Sequence, residues 1–178
     1  MKIIAISDTH IKSGSLIKQL PGGLVEMLRD ADMVIHAGDF VTKFAYDELS
    51  RISRLVAVHG NTDEVALKAL LPERSVIEVE GIKIGVVHEA ALSLHDTTGA
   101  RYLAKEMDIN ILVFGHIHRP VIERSDVLLV CPGSPTSPRL SEPCAVELVV
   151  ENGRISGQVI KLEGPRCNSI ERAEHFHT

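Results

Sequence analysis

The chain has 178 residues, 44% of them hydrophobic and 24% charged, which fits one globular domain with a sizeable core. A formal net charge of -5 argues against broad binding to nucleic-acid polymers, and 3% aromatic residues with no Trp leave little for base stacking. Cys131, Cys144 and Cys167, with no C-x-x-C pair, read as reduced thiols, and the absence of a signal peptide or a membrane-length apolar run makes the cytoplasm the expected location, with no membrane partner.

Ile3 to Ile6 is an apolar run that ends at Ser7-Asp8, the pattern of a buried strand covered on both faces. Leu24 to Arg29 reads as a helix after Gly22-Gly23. Met33 to His36 is a second strand, and Lys43 to Ile52 a second helix with Phe44, Leu49 and Ile52 toward the sheet. Leu55 to His59 is a third strand. Val65 to Leu71 is a short helix stopped by Pro72. The pattern then changes. Val76 to Glu80 and Ile82 to Val87 flank Gly81 as two strands around a tight turn. Gly99 to Met107 is a helix and Ile111 to Phe114 another buried strand. The remainder reads as antiparallel strands: Val121 to Arg124, Val127 to Val130, Ala145 to Glu151 and Arg154 to Lys161. Asn152-Gly153 marks a hairpin between the last two. Residues 1–163 are expected to form one domain and 164–178 a tail without clear period, which carries His175 and His177.

The strand ends carry the chemistry. Asp8-Thr9-His10, Gly38-Asp39, Gly60-Asn61-Thr62-Asp63, His88 and Gly115-His116-Ile117-His118 each follow an apolar run and offer metal-ligand residue types. Asp8 and His10, like His116 and His118, stand at i and i+2, so in extended chain both side chains of a pair point the same way. Alone, most of these stretches read as turns or structural histidines. Their recurrence in order at successive strand ends points to a shared metal site.

In that order the stretches match the motifs of the calcineurin-like metallophosphoesterases, from the first strand to about Pro138, and the compact length resembles the small prokaryotic phosphodiesterases of that superfamily. Phe40-Val41-Thr42-Lys43 and Tyr46-Asp47 also resemble the phosphoesterase-fold subunit of the retromer coat, a protein-binding scaffold. The fold implied is α/β: a four-layer α-β-β-α sandwich of two mixed β-sheets flanked by helices. The resemblance implies that Asp8, His10, Asp39 and His118 hold one metal and that Asp39, Asn61, His88 and His116 hold another. It implies catalytic roles for Asp39, Asn61 and His116, and a substrate wall that includes Asn61, Thr62 and Glu89.

The chemistry explains those residue types. A bridge between two cations needs an anionic ligand with two oxygens, which Asp39 supplies. Imidazole with carboxylate and amide oxygen suits divalent transition metals, manganese first and then Fe, Zn, Co or Ni, rather than Mg alone. Two such ions outweigh Asp8, Asp39 and a bridging hydroxide, and the residual positive charge attracts an anionic phosphate ester. The expected function is a dinuclear phosphoesterase, foremost a phosphodiesterase, in which the bridging hydroxide attacks phosphorus in line. Its partner would be a small phosphate ester, with a homo-oligomer left open. The alternative is a protein-interaction scaffold on the same fold. Two departures stand out. Thr62 occupies a position where many relatives carry a His that assists the leaving group. Glu89-Ala90 follows His88 where many relatives have Gly-His. Asp63 or Glu89 could then supply a proton in place of the missing His.

Overall fold

The computed structural model describes residues 1–90 and 96–164; the tail with Cys167, His175 and His177 lies outside the described residues. Two five-stranded mixed sheets face each other. The first has the order β10-β9-β1-β2-β3, with β1 (Lys2–Ile6), β2 (Met33–His36), β3 (Leu55–Ala57), β9 (Cys144–Glu151) and β10 (Arg154–Lys161). The second has the order β4-β5-β6-β8-β7, with β4 (Arg74–Val79), β5 (Ile82–Val87), β6 (Ile111–Phe114), β7 (Pro120–Arg124) and β8 (Leu128–Pro132). The helices are α1 (Leu16–Gln19), α2 (Leu24–Asp30), α3 (Lys43–Ile52), α4 (Val65–Leu70) and α5 (Thr98–Glu106).

Side-chain alternation along the strands builds the layers. Ile3, Ala5, Met33 and Ile35 point inward and meet Ile84, Val86, Ile111 and Val113 of the opposite sheet. Ile4, Ile6 and Val34 point outward and pack under Leu16, Leu24, Leu28, Leu49 and Leu67 of α1 to α4. On the far side Val87, Leu112, Phe114 and Leu129 pack against Ala100 and Ala104 of α5. This is the four-layer α-β-β-α sandwich expected, and the continuous apolar runs of β1, β2 and β6 follow from burial on both faces.

The local differences from the sequence reading have physical causes. Helix α1 is only four residues long, too short to show a period. It is held by tertiary contacts: Glu48 of α3 accepts from Leu16 N at 2.6 Å and from Ser15 Oγ at 2.8 Å. Strand β3 stops at Ala57 rather than His59. Val58 N still reaches His36 O at 3.3 Å, but His59 N turns away to Pro72 O at 3.1 Å. The Asn152-Gly153 hairpin forms as expected, with φ of +52° and +68° at its two central residues.

Strands β1, β2 and β3 run parallel in one sheet, and β5, β6 and β8 run parallel in the other. Asp8, Asp39, His88 and His116 all lie just beyond the C-terminal ends of such strands, where sheets of this kind present their ligand sites.

Candidate metal centre

The structure brings Asp8, His10, Asp39, Asn61, His88, His116 and His118 together at one pole of the sandwich. Asp8, His10 and His118 form one group whose ligand atoms lie within 4.8 Å of one another; Asp8, Asp39 and His88 form another, and His88, Glu89 and His116 a third. Asp39 Oδ2 sits between the first and last groups, 3.5 Å from His10 Nε2 and 3.4 Å from His88 Nε2. His118 Nε2 is 3.3 Å from Asp8 Oδ1 and 3.1 Å from His10 Nε2. Asn61 Oδ1 is 3.0 Å from His88 Nε2.

Hydrogen bonds behind the site choose which atoms face into it. His88 Nδ1 donates to Ala37 O at 2.8 Å, and His118 Nδ1 donates to Ser137 O at 2.5 Å. A carbonyl only accepts, so each Nδ1 carries a hydrogen. In the neutral rings Nε2 then presents a lone pair toward carboxylate oxygens, an arrangement that a cation, whether a metal ion or a proton, relieves. The donor set therefore fits divalent metal ions.

Electrostatics agree. Burial pushes the Asp8 carboxyl up to about 7, against the lowering effect of His88 and of the Ser7 hydroxyl 2.6 Å from Oδ2. Burial also works against the charge of Asp39, but its contacts with His88 and the Thr62 amide win, and its pKa is lowered. His88 shows the mirror effect: burial disfavours its charge, Asp39 outweighs that, and its pKa is raised. Burial lowers His10, and it lowers His118 to about 4 despite the bond to Ser137. Without a metal, Asp39 favours the protonated form of His88.

The loops that carry these residues are held tightly. Asp8, His10, Asp39, His116 and His118 all have left-handed backbones, with φ between +48° and +72°. Such conformations cost of order 1–3 kcal/mol each for non-glycine residues and persist where the surroundings enforce them. Part of that enforcement is visible. Asp63 is buried, and its carboxylate accepts from Gly60 N at 2.7 Å, Asp39 N at 3.2 Å and Val41 N at 2.6 Å. His116 N donates to Asp8 at 3.0 Å, and Thr62 N donates to Asp39 Oδ1 at 2.8 Å. Gly38 has φ +89°, and a Cβ there would lie 2.7 Å from His88 Nδ1 and 2.9 Å from Gly60 N, so only glycine fits.

Thr62 and Glu89 sit on the open side. Thr62 Oγ1 is 3.5 Å from His10 Nδ1, and Glu89 Oε1 is 3.9 Å from His116 Nδ1. Asp63, with its oxygens committed to backbone amides, is a clamp on the loop. Ser7 and the segment from Ser134 to Ser137 also support the site. Ser134 Oγ donates to Asp8 O at 2.7 Å, and Thr136 Oγ1 donates to Thr9 O at 2.6 Å. The only sequence signal was a Ser/Thr-rich stretch between prolines, which reads as a plain loop. Beside Asn61 and His88 opens a cavity of about 270 Å³, also lined by His59, Lys68, Glu73 and Arg74.

Residues 1–153 match the family described as the calcineurin-like phosphoesterase superfamily domain. The chain belongs to that superfamily. It is 36% identical over 165 residues to a probable metallophosphoesterase of Methanocaldococcus jannaschii, covering 92% of this chain and 82% of that one. It is 26% identical to a phosphodiesterase of the same organism over 148 residues, 75% of this chain and 83% of that one. Among solved structures, Vps29 of Entamoeba histolytica complexed with zinc superposes with a TM-score of 0.71 at 23% identity, over 90% of this chain and 99% of that one, a likeness of fold. Among the described residues of this superfamily member, no helix is long and apolar enough to cross a membrane, and Cys131 and Cys144 are free buried thiols.

Proposed function

We propose that this superfamily member is a dinuclear, divalent-metal phosphodiesterase acting on small phosphate diesters, with residues 1–163 as its one domain. Asp8, His10, Asp39 and His118 would hold the first ion; Asp39, Asn61, His88 and His116 would hold the second. Manganese is the preferred metal. When bound, the ions polarise the phosphoryl oxygens and lower the pKa of the attacking water.

The chain's own residues do the rest. Asp39 would be shared by both ions. Asn61 and His116 stand on the open side, where the phosphoryl oxygens would approach. Thr62 and Glu89 form the adjoining wall. The cavity lined by His59, Lys68 and Arg74 receives one ester group of the diester. The observation that carries this reading is the pair of Nε2 atoms of His88 and His118, turned inward by the bonds of Nδ1 to Ala37 and Ser137, that face Asp39 and Asp8.

Elemental analysis of the purified protein, paired with hydrolysis of bis(p-nitrophenyl) phosphate in the presence of Mn²⁺, tests the proposal. About two ions per chain and metal-dependent turnover are expected. A protein that binds metal but turns over no diester would favour the second reading, a protein-interaction scaffold. One observation speaks for that reading: Phe44, expected to face the sheet, is instead 53% exposed, and Val65 is 83% exposed, on helices that start close to the site.

A further inference from the structure

We propose that Glu89 is a direct ligand of the second ion, an anionic donor in addition to Asp39, Asn61, His88 and His116. The inference rests on the dinuclear reading above. Glu89 follows His88 at the end of β5, and the ligand atoms of His88, Glu89 and His116 lie within 4.8 Å of one another. Glu89 Oε1 is 3.9 Å from His116 Nδ1. That separation is too long for a hydrogen bond. It matches two donors on one ion, each about 2.0–2.2 Å from the metal. His116 is fixed from behind through its backbone N–H on Asp8, and it meets the His88 ring edge-on with centroids 5.3 Å apart. Glu89 is 58% exposed, so its side chain can adjust around an ion at that position.

A carboxylate here changes both the ion and the substrate. The second ion gains oxygen donors from Asp39, Asn61 and Glu89 against nitrogen from His88 and His116. The first ion has equal shares, from Asp8 and Asp39 against His10 and His118. Oxygen donors suit the harder ion, so the second position favours Mn²⁺ over Zn²⁺ more than the first does. A third carboxylate also reduces the residual positive charge of the pair. That penalises a dianionic phosphate monoester more than a monoanionic diester. Glu89 is thus a specificity-determining residue as well as a ligand.

The test compares wild type with Glu89→Gln and Glu89→Ala by calorimetric titration of the metal-free proteins with Mn²⁺ and Zn²⁺, and by the visible spectrum of the Co²⁺-loaded forms. Loss of a partner that only supports a ligand costs about 10–100-fold in metal affinity. Removal of a direct ligand should therefore weaken the second Mn²⁺ by at least about 10-fold and Zn²⁺ by less. The first ion should keep its affinity, and the Co²⁺ spectrum should change. At saturating Mn²⁺, Glu89→Gln should also raise the kcat/KM ratio of p-nitrophenyl phosphate to bis(p-nitrophenyl) phosphate. Two ions bound with unchanged affinities and spectra in both variants would overturn the role of Glu89 and leave the dinuclear reading standing. A wild-type protein that binds a single ion would defeat both. An unchanged selectivity ratio beside weakened binding would overturn the specificity role.

Discussion

The Nδ1 atom of His88 donates to the carbonyl oxygen of Ala37 at 2.8 Å. Ala37 lies between β2 and the Gly38-Asp39 turn, so the segment that delivers Asp39 also orients the imidazole that faces it. His118 repeats the device with Ser137. In each case a backbone carbonyl fixes the tautomer and leaves Nε2 as the inward atom, which is how metal-binding histidines are commonly held.

Asp39→Asn is expected to abolish diester hydrolysis and to weaken both ions. The amide has one oxygen and no charge. The metal-free protein should also melt at a lower temperature, because His88 loses the partner that raises its pKa. Loss of a charged hydrogen-bond partner costs about 1.5–3 kcal/mol. Turnover with Mn²⁺, beside a thermal melt in chelator, measures both effects. A fully active variant would show that Asp39 is not the bridge.

The pH dependence of stability should differ between metal-free and metal-loaded protein. Asp8 is raised to about 7 and His88 is raised above its usual 6.5. Each stabilises the metal-free fold when protonated, and that contribution is lost as pH rises through the folded pKa. His10 and His118 are lowered, so their effect runs the other way and ends near 6.5, where the unfolded rings lose their protons. Asp39, lowered, is ionised in both states across this range. From about pH 6.5 through about 7, where Asp8 gives up its proton, and on until His88 has lost its own, the metal-free protein should therefore lose stability. Metal affinity should rise over the same interval, since binding needs Asp8 and His88 deprotonated. Melts at fixed ionic strength, with and without Mn²⁺, check the opposite slopes.

Asp63→Ala should lower stability by more than an ordinary surface change. It strips acceptors from the buried Gly60 and Asp39 amides and from the Val41 amide. An unsatisfied buried donor costs about 1–3 kcal/mol. Activity should fall with metal affinity, and the dependence of rate on leaving-group pKa should keep its slope, because Asp63 acts as a clamp. A flattened or steepened slope would give Asp63 a chemical role.

Thr62 has no proton to give at neutral pH, and with Asp63 engaged by backbone amides and Glu89 a ligand as proposed above, none of the described site residues is assigned as a general acid. General-acid help is worth about 10²–10⁴ in rate. Esters of nitrophenol should therefore be cleaved far faster than alkyl esters of the same charge. A series of diesters with graded leaving groups measures this; a shallow dependence with chemistry rate-limiting would reveal an acid elsewhere. Thr62→His would place a ring near His10 Nδ1, where the hydroxyl now lies at 3.5 Å, and should flatten the dependence in part.

The sequence by itself determined most of the strands and the order of the ligand-bearing turns, and the resemblance of those turns to the metallophosphoesterases implied the sandwich. Strands buried on both faces must be apolar throughout, so β1, β2 and β6 announce themselves, and a polar residue at the end of such a run stands out. Asp8, Asp39, His88 and His116 were visible for that reason. Short-range pattern could not show what depends on segments far apart in the chain. The tautomers of His88 and His118 rest on Ala37 and Ser137, 51 and 19 residues away. Helix α1 exists because Glu48 caps it from α3. Asp63 became a clamp, and Glu89 a neighbour of His116, only when the strand ends met. Local sequence sets which residues a strand can bury; the packing of the two sheets decides which atoms those residues turn toward one another.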